Sequence, residues 1–286
     1  MWTAPARAKI NLHLAVHARR PDGFHALTTV FQTIALADTL TVAEHDGPFV
    51  LRCPGSDAPE DDSNLVVRAA RALAAELGRP EPAGLRITLD KQVPTQAGLG
   101  GGSADAMAAL RLLCAVWGVP PDRDLLARVG GRLGSDVPFF AWGGTALGLG
   151  RGDAIAPLPA LPPLACAIVR PPFGVSTADA YRWVAESRPG GPPAAPAFEP
   201  PATGEDWLAR LPACRNDFEP VVAARHPEIA EAVGALTAGG ARLAMMSGSG
   251  SAVFGLFEDA AAASRAMAPL AARPGWRAWL SATADA

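Results

Sequence analysis

A glycine-rich segment is the part of the chain best suited to hold a phosphate group. Residues 94–105 read PTQAGLGGGSAD and lead into a predicted helix at 103–116. Glycine lets a backbone approach a ligand closely, and the free N–H groups of a helix N-terminus attract anions. Ser103 could cap this helix or offer its hydroxyl to a phosphate or a bound cation. The spacing fits neither a P-loop nor a dinucleotide fingerprint, and a flexible loop before an ordinary helix cap is the alternative.

An acidic residue and a lysine form a second candidate for chemistry. Asp136 lies in GSDVPFF at 134–140, between a glycine-containing turn and an apolar segment. Alone it is more often a turn or cap residue, but beside an ammonium it could act at a reacting hydroxyl. Read beside Lys9, Asp136 becomes a candidate carboxylate–ammonium pair; Lys9 and Lys91 are the only lysines among 25 basic residues. A lysine is a compact point charge, unlike the planar fork of arginine.

Two shorter segments could complete a binding site. Residues 247–251 alternate serine and glycine between two predicted strands, which is typical of a hairpin loop or of a second backbone wall against phosphates. Phe24 and His25 follow a predicted turn at 20–23. An aromatic residue beside a histidine could stack on and hydrogen-bond a flat ring, although an ordinary surface or core pair is the alternative.

The elements that must position these residues are predicted from periodicity. Strict alternation over 6–17 predicts a strand with one buried face, which sets Lys9 and Asn11 on the same side about 7 Å apart. Further strands are predicted at 27–36, 39–43, 49–52, 85–90, 165–170, 241–246, 252–257 and 277–281. Helices are predicted at 64–77 with a cap at Asp62–Ser63, and at 103–116, 123–132, 177–187, 217–224, 227–236 and 259–271. This mixture lacks strict β-α-β alternation, so it favours an α+β fold.

The remaining segments suggest two domains. A glycine-rich stretch at 143–152 closes the first half, and 156–163 is predicted to be a linker. We therefore expect domains at 1–155 and 156–286. A proline-rich insert at 188–203 in the second domain is predicted to be a mobile surface loop.

Composition excludes several classes of protein. The chain has 286 residues, of which 49% are hydrophobic and 19% charged, so global disorder is excluded. The net charge of −3 argues against a dedicated nucleic-acid binder. There is neither an apolar run of about 18 residues nor an early leader pattern, so we expect no membrane association. The four isolated cysteines indicate free thiols in a reducing, cytoplasmic setting.

In their order, these segments resemble the GHMP small-molecule kinases over almost the whole chain. The segments that carry the resemblance are ARAKINL at 6–12, RPDGFH at 20–25, PTQAGLGGGSAD at 94–105, GSDVPFF at 134–140, NDFE at 216–219 and MSGSGSA at 246–252. The first two resemble the branch that phosphorylates a cytidine-diphosphate-linked methylerythritol, and they differ from mevalonate and homoserine kinases.

The resemblance implies a two-domain α+β GHMP kinase fold with the active site in the cleft between the domains. The N-terminal domain would be ribosomal protein S5-like and the C-terminal domain ferredoxin-like. The implied reaction transfers phosphate from ATP, with Mg²⁺, to the 2-hydroxyl of that alcohol in isoprenoid precursor biosynthesis. Lys9 and Asp136 would be the catalytic pair, and Asn11 would position the substrate.

The resemblance also implies how base and nucleotide would be bound. His25 would read the cytosine ring, stacked between Phe24 and Tyr181, the only tyrosine. Asn64 and Leu65 stand where the family builds its adenine pocket, and Lys91 could approach the nucleotide. The residues implied to hold the ATP phosphates are Pro94, Ala97, Gly98, Leu99, Gly100, Gly101, Gly102 and Ser103. No residue is assigned to the metal, and Ala104 replaces a second serine of the family's loop.

Three other functions stay open. A GHMP kinase for a mevalonate- or homoserine-type alcohol would have no use for an aromatic and histidine clamp. A catalytically silent regulator of the same fold would bind ATP without releasing ADP. An unrelated nucleotide-binding module would explain the glycine loop alone. We expect a small-molecule substrate, no nucleic acid or membrane partner, and a monomer or weak homodimer.

Overall fold

The computed structural model describes residues 1–188 and 198–285, and these form two compact units. The first unit comprises Met1–Ala8, Leu36–Pro94 and Gly100–Trp142, and the second comprises Lys9–Ala35, Thr95–Leu99 and Gly143–Ala286. Of the predicted insert at 188–203, residues 189–197 lie outside the described residues. The boundary after residue 155 stays a prediction. Among the described residues, no helix is long and apolar enough to cross a membrane.

Two long strands open the chain and supply residues to both units. They are β1 (Trp2–Arg19) and β2 (His25–Glu44), joined by the predicted turn, where Gly23 has a φ of +86°. The separate strands predicted at 27–36 and 39–43 are thus one strand. The prediction of a single buried face in β1 is wrong, because the polar Lys9, Asn11 and His13 are also buried.

In the first unit, strands pair beside a group of helices. Strand β3 (Val50–Arg52) runs parallel to β4 (Leu85–Asp90), and β4 pairs antiparallel with Thr39–Glu44 of β2. The helices are α1 (Leu65–Glu76), α2 (Gly101–Val116), α3 (Arg123–Gly131) and α4 (Phe139–Trp142). Helix α2 is rich in alanine and leucine and is buried over most of its length, which makes it the centre of this unit.

Two helices in this unit begin differently from the prediction. Asn64, not Asp62–Ser63, caps α1, because its side chain accepts a hydrogen bond from the Val66 amide. Helix α2 begins at Gly101 after Gly100, which has a φ of +69°, a left-handed conformation that glycine adopts readily. Ser103 therefore lies inside the first turn and does not cap the helix, which leaves its hydroxyl for the other role considered above.

In the second unit, two strands replace predicted irregular chain. Strand β5 (Thr145–Gly150) pairs antiparallel with β2 at 27–32, and β6 (Ala154–Pro157) pairs with β5. The glycine-rich stretch at 143–152 therefore contains a strand, and the predicted linker begins inside another. Glycine is required at Gly148, because a Cβ there would lie 2.8 Å from the Phe31 ring and 2.9 Å from a backbone oxygen.

The rest of the second unit is a four-stranded antiparallel sheet with helices. The strand order is β10 (Arg277–Ala282), β7 (Ala165–Arg170), β9 (Val253–Phe257) and β8 (Leu243–Met246). The helices are α5 (Thr177–Ser187), α6 (Trp207–Arg210), α7 (Glu219–Ala223), α8 (Pro227–Ala238) and α9 (Ala260–Ala271). Helix α6 was not predicted, and its Trp207 is fully buried with its indole N–H donating to the Pro159 carbonyl.

The four cysteines are unpaired, as predicted. Cys53, Cys114 and Cys166 are buried and Cys214 is half-buried. Burial raises the pKa of the Cys166 thiol to about 12, so this thiol is unreactive near neutral pH.

Candidate active site

The glycine loop joins β4 to α2 through two left-handed glycines. Gly98 and Gly100 have φ angles of +74° and +69°, which L side chains rarely adopt. Pro94, Ala97 and Leu99 are buried and fix the loop, whereas Gly102 is exposed at the start of α2. The first amides of α2 have no partner inside the helix, so this end can bind an anion.

Lys9 is held against this loop by residues of the second unit. Its Nζ donates to Asn11 Oδ1 at 2.6 Å and to the Gly98 carbonyl at 2.9 Å, and it lies 5.5 Å from the centre of the Phe31 ring. The Lys9 amide also donates to the Leu99 carbonyl at 2.9 Å. The predicted proximity of Lys9 and Asn11 is therefore correct, and it places an ammonium at the glycine loop.

Asn11 is fixed by a partner that the sequence did not reveal. Its Nδ2 donates to Thr29 Oγ1 at 2.8 Å, and the Thr29 hydroxyl donates in turn to the His13 carbonyl at 2.8 Å. Thr29 is 1% exposed and lies on β2. Because the amide nitrogen of Asn11 is bound to the Thr29 hydroxyl, the amide oxygen of Asn11 is the atom that faces Lys9. In the sequence, Thr29 is only one of several polar residues in a largely apolar predicted strand, so nothing singled it out.

The serine- and glycine-rich loop at 247–251 lies against the glycine loop within the same unit. Ser247 Oγ donates to the Gly98 carbonyl at 2.9 Å, and the Ala252 amide donates to the Ala97 carbonyl at 3.1 Å. A Cβ on Gly98 would lie only 1.9 Å from the Ser247 carbonyl oxygen. The close contact explains why glycine is needed at residue 98.

Residues of the NDFE segment hold this second loop in place. Asn216 Nδ2 donates to the Met246 and Gly248 carbonyls, both at 2.7 Å. Glu219 accepts a hydrogen bond from the Met246 amide at 2.7 Å, and burial raises the pKa of its carboxyl. These two residues support the loop at 247–251; the resemblance singled out their NDFE segment but assigned it no role.

Asp136 lies in the first unit, in the turn between α3 and α4, and is half-buried. The turn is anchored by its neighbour Val137, which is fully buried and packs so closely on Gly130 that a Cβ there would lie 2.8 Å from Val137 Cγ1. Lys9 belongs to the second unit, so the pairing of Lys9 with Asp136 stays a prediction.

The aromatic residues predicted to bind a base are in the second unit. His25 and Tyr181 stack with ring centres 5.1 Å apart and planes 13° apart, and Phe218 meets Tyr181 edge-on. Phe24 is 52% exposed, and the Arg151 guanidinium lies 5.2 Å from its ring centre. Burial, helped by the charge of Arg19, lowers the pKa of His25, so its ring is neutral near pH 7.

The residues predicted near the nucleotide base have structural partners in the first unit. Asn64 caps α1, and Leu65 lies beside Gly102, where an added Cβ would be 3.7 Å from Leu65 Cδ1. Lys91 Nζ is bound by two carboxylates, Asp38 at 2.5 Å and Asp105 at 2.8 Å. Burial raises the pKa of Asp105 to about 7, and the nearby Lys91 ammonium opposes this shift.

The candidate active site offers few protein ligands for a metal ion. The described parts of the chain contain no group of three or more histidine, cysteine or acidic side chains that could hold a metal ion. Ser103 offers a partly exposed hydroxyl in the first turn of α2. This donor set fits Mg²⁺, which is commonly held by substrate phosphates with few protein ligands.

Comparison with protein families matches both halves of the chain. The family model described as GHMP kinases N terminal domain matches residues 64–144, and that described as GHMP kinases C terminal matches residues 205–274. Together with the mixed sheets and helices, these matches confirm the two-domain α+β fold and define the protein as a small-molecule kinase of the GHMP class.

Individual relatives identify the branch of this class. A Moorella thermoacetica protein named 4-diphosphocytidyl-2-C-methyl-D-erythritol kinase is 45% identical, with 92% of each chain covered. A protein of the same name from Parvibaculum lavamentivorans is 40% identical over 99% of this chain and 97% of its own. A crystal structure of 4-(cytidine 5'-diphospho)-2C-methyl-D-erythritol kinase has a TM-score of 0.81 at 36% identity, with both chains fully covered. The chain therefore belongs to the family of 4-diphosphocytidyl-2-C-methyl-D-erythritol kinases.

More distant structures share the fold alone. A crystal structure of mevalonate kinase has a TM-score of 0.72 at 13% identity, with both chains fully covered. Fold similarity at this identity carries no information about the alcohol that this chain phosphorylates.

Proposed function

We propose that the protein transfers the γ-phosphate of ATP to the 2-hydroxyl of 4-diphosphocytidyl-2-C-methyl-D-erythritol, as the names of its relatives suggest. The observation that carries the proposal is the buried Lys9 ammonium, which is bound to Asn11 and to the glycine loop at Gly98. A fixed cation beside a phosphate-binding loop suits a reaction that depends on positioning and charge stabilisation.

In this proposal different groups of the site carry out the separate catalytic steps. The loop amides at 98–103 and the N-terminus of α2 bind the β- and γ-phosphates. The Lys9 ammonium stabilises negative charge that develops during transfer. Asp136 orients the acceptor hydroxyl and takes its proton, and Asn11 positions the acceptor beside Lys9. The Ser103 hydroxyl would help the ATP phosphates to hold Mg²⁺, and the ion would supply positive charge there.

Recognition of the two substrates uses different surfaces. Cytosine stacks between Phe24 and Tyr181 and is hydrogen-bonded by the neutral ring of His25, which must leave its own stack on Tyr181. Adenine binds near Asn64 and Leu65. The Lys91 ammonium is already paired with two carboxylates. This supports a role in holding the glycine loop in place and not in contacting the nucleotide directly.

The wider setting belongs to the same proposal. The enzyme acts in the cytoplasm in isoprenoid precursor biosynthesis, as a monomer or weak homodimer without nucleic acid or membrane partners. Its functional domains are 1–155 and 156–286.

Identification of the product tests the proposal. The purified protein is incubated with ATP, Mg²⁺ and the cytidylyl alcohol, and the product is analysed by ³¹P NMR. A new phosphomonoester signal without three-bond coupling to a proton is expected, because carbon 2 of the alcohol carries a methyl group and no hydrogen, together with loss of the ATP γ-phosphate. Phosphate at another hydroxyl, or ATP binding without any product, would contradict the proposal and favour a different acceptor or a silent regulator.

A further inference from the structure

A buried three-residue ion cluster lies directly beneath the start of helix α2. It consists of Asp38 on β2, Lys91 after β4 and Asp105 on α2, which we call the loop triad. The side chains of Asp38, Lys91 and Asp105 are 0%, 9% and 4% exposed. Burying one cation between two carboxylates is costly, and removing one partner of such a cluster is strongly destabilising. A cluster of this kind therefore fixes the elements that it joins.

The triad joins the two ends of the glycine loop within the first unit. Asp38 Oδ1 accepts hydrogen bonds from the Gln92 amide at 2.5 Å and the Val93 amide at 2.8 Å, so it holds the backbone just before the loop. Asp38 Oδ2 accepts from Lys91 Nζ at 2.5 Å, and Lys91 Nζ donates also to Asp105 Oδ2 at 2.8 Å.

The first turn of α2 rests on the same residues. A Cβ on Gly101 would lie 2.9 Å from Val93 Cγ1 and 3.4 Å from Lys91 Nζ. Asp105 follows Gly101 by four residues and so lies on the same face of the helix. Residues 91–93 therefore pack directly against the start of α2, and this close contact requires glycine at residue 101.

We propose that Asp38 is a positioning residue for ATP: through Lys91 and Asp105 it fixes the backbone on both sides of the glycine loop, so that the loop amides are preorganised for phosphate. This inference rests on the proposed function, because it takes the glycine loop to be the phosphate site. Preorganisation lowers the cost of binding and of transition-state stabilisation.

The two carboxylates of the triad differ in a way that gives a matched pair of variants. Both carboxylate oxygens of Asp38 accept hydrogen bonds. In Asp38→Asn one of them becomes an NH₂ group, which would face either the Lys91 ammonium or the Gln92 and Val93 amides, all of them donors. Asp105 Oδ1 is buried without a hydrogen-bond partner among the described residues. In Asp105→Asn the amide oxygen keeps the bond to Lys91, and the NH₂ group takes the position of the unpartnered oxygen.

Titration calorimetry with the non-hydrolysable nucleotide AMP-PNP, together with steady-state kinetics, tests the proposal. Asp38→Asn is expected to weaken AMP-PNP binding and raise the KM for ATP about tenfold or more, with the KM for the alcohol within about twofold. Asp105→Asn is expected to stay within about threefold of the wild type. Equal effects of the two variants, equal rises in both KM values, or unchanged nucleotide binding in folded Asp38→Asn would overturn the proposal.

Amide hydrogen exchange of the wild-type protein covers the case in which Asp38→Asn does not fold. Without nucleotide, the Gln92 and Val93 amides should exchange slowly, and those of the glycine loop should gain protection only when AMP-PNP is added. Fast exchange at Gln92 and Val93 without nucleotide would overturn the proposal. If the wild type binds AMP-PNP but phosphorylates no cytidylyl alcohol, the proposed function fails while the calorimetry still tests the triad.

Discussion

Gly98 joins the glycine loop both to Lys9 on β1 and to the serine- and glycine-rich loop at 247–251, so its substitution is the most informative single change. In Gly98→Ala the new Cβ would lie 1.9 Å from the Ser247 carbonyl oxygen, a backbone atom that no side-chain rotation can move. The φ of +74° is also unfavourable for alanine. The loop must therefore shift by more than 1 Å to restore an ordinary contact distance of about 3.4 Å.

The cost of this shift follows from the contacts that it breaks. The Gly98 carbonyl accepts from Lys9 Nζ and from Ser247 Oγ, both at 2.9 Å. The left-handed conformation costs alanine about 1 kcal/mol, the bond from the ammonium is worth about 1.5 kcal/mol, and that from the hydroxyl about 0.5 kcal/mol. These lower limits sum to about 3 kcal/mol. If the loop is required in the transition state, kcat/KM falls by about 10² or more.

The assay compares kcat/KM and urea unfolding for Gly98→Ala with a control in the same unit. The control is Gly234→Ala on α8, where a Cβ meets nothing within 4 Å. Alanine there should keep full activity and stabilise the helix by about 0.5–1 kcal/mol. A folded Gly98→Ala protein with wild-type turnover would refute the placement of Lys9 and the loop at 247–251 at the phosphate site.

Three further predictions test separate parts of the site. Lys9→Ala and Asp136→Asn should each lower kcat by at least about 10² in protein that unfolds like the wild type; unimpaired turnover would refute the catalytic pair. Tyr181→Ala should raise the KM for the cytidylyl alcohol about tenfold and leave the KM for ATP unchanged, since stacking on a base is worth about 1–3 kcal/mol; a rise for ATP instead would refute the cytosine site. Burial, with the charge of Arg215, lowers the pKa of His13 to about 4 from 6.5, so folding should lose up to about 3 kcal/mol as the pH falls from 6.5 to 4. Urea unfolding across this range should show a loss that is larger by this amount in the wild type than in His13→Phe, and parallel pH profiles would refute it.

The sequence predicted those elements whose local pattern agrees with their tertiary role. The alternation in β1 predicted a strand with Lys9 and Asn11 on one side, and their 2.6 Å hydrogen bond follows from it. The bounds of β4, β7 and α5 also agree with the prediction. In these segments periodicity, turn residues and burial all favour the same structure.

The differences arise where tertiary packing selects unusual residues. Strand β5 was missed because Gly148 leaves room for Phe31 and so interrupts the apolar pattern of a strand. The start of α2 was placed too late, since a left-handed Gly100 begins the helix without a side-chain cap. The loop triad could not be predicted, because Asp38 and Lys91 are 53 residues apart and only the fold brings them together.

Release of ADP from ATP in the presence of Mg²⁺ and three separate alcohols tests the central claim most directly. The alcohols are 4-diphosphocytidyl-2-C-methyl-D-erythritol, mevalonate and homoserine, each supplied at the same concentration. The buried Lys9 at the glycine loop and the aromatic residues beside His25 predict turnover with the cytidylyl alcohol alone. Turnover with mevalonate or homoserine, or ATP binding without ADP release from any of the three, would contradict it.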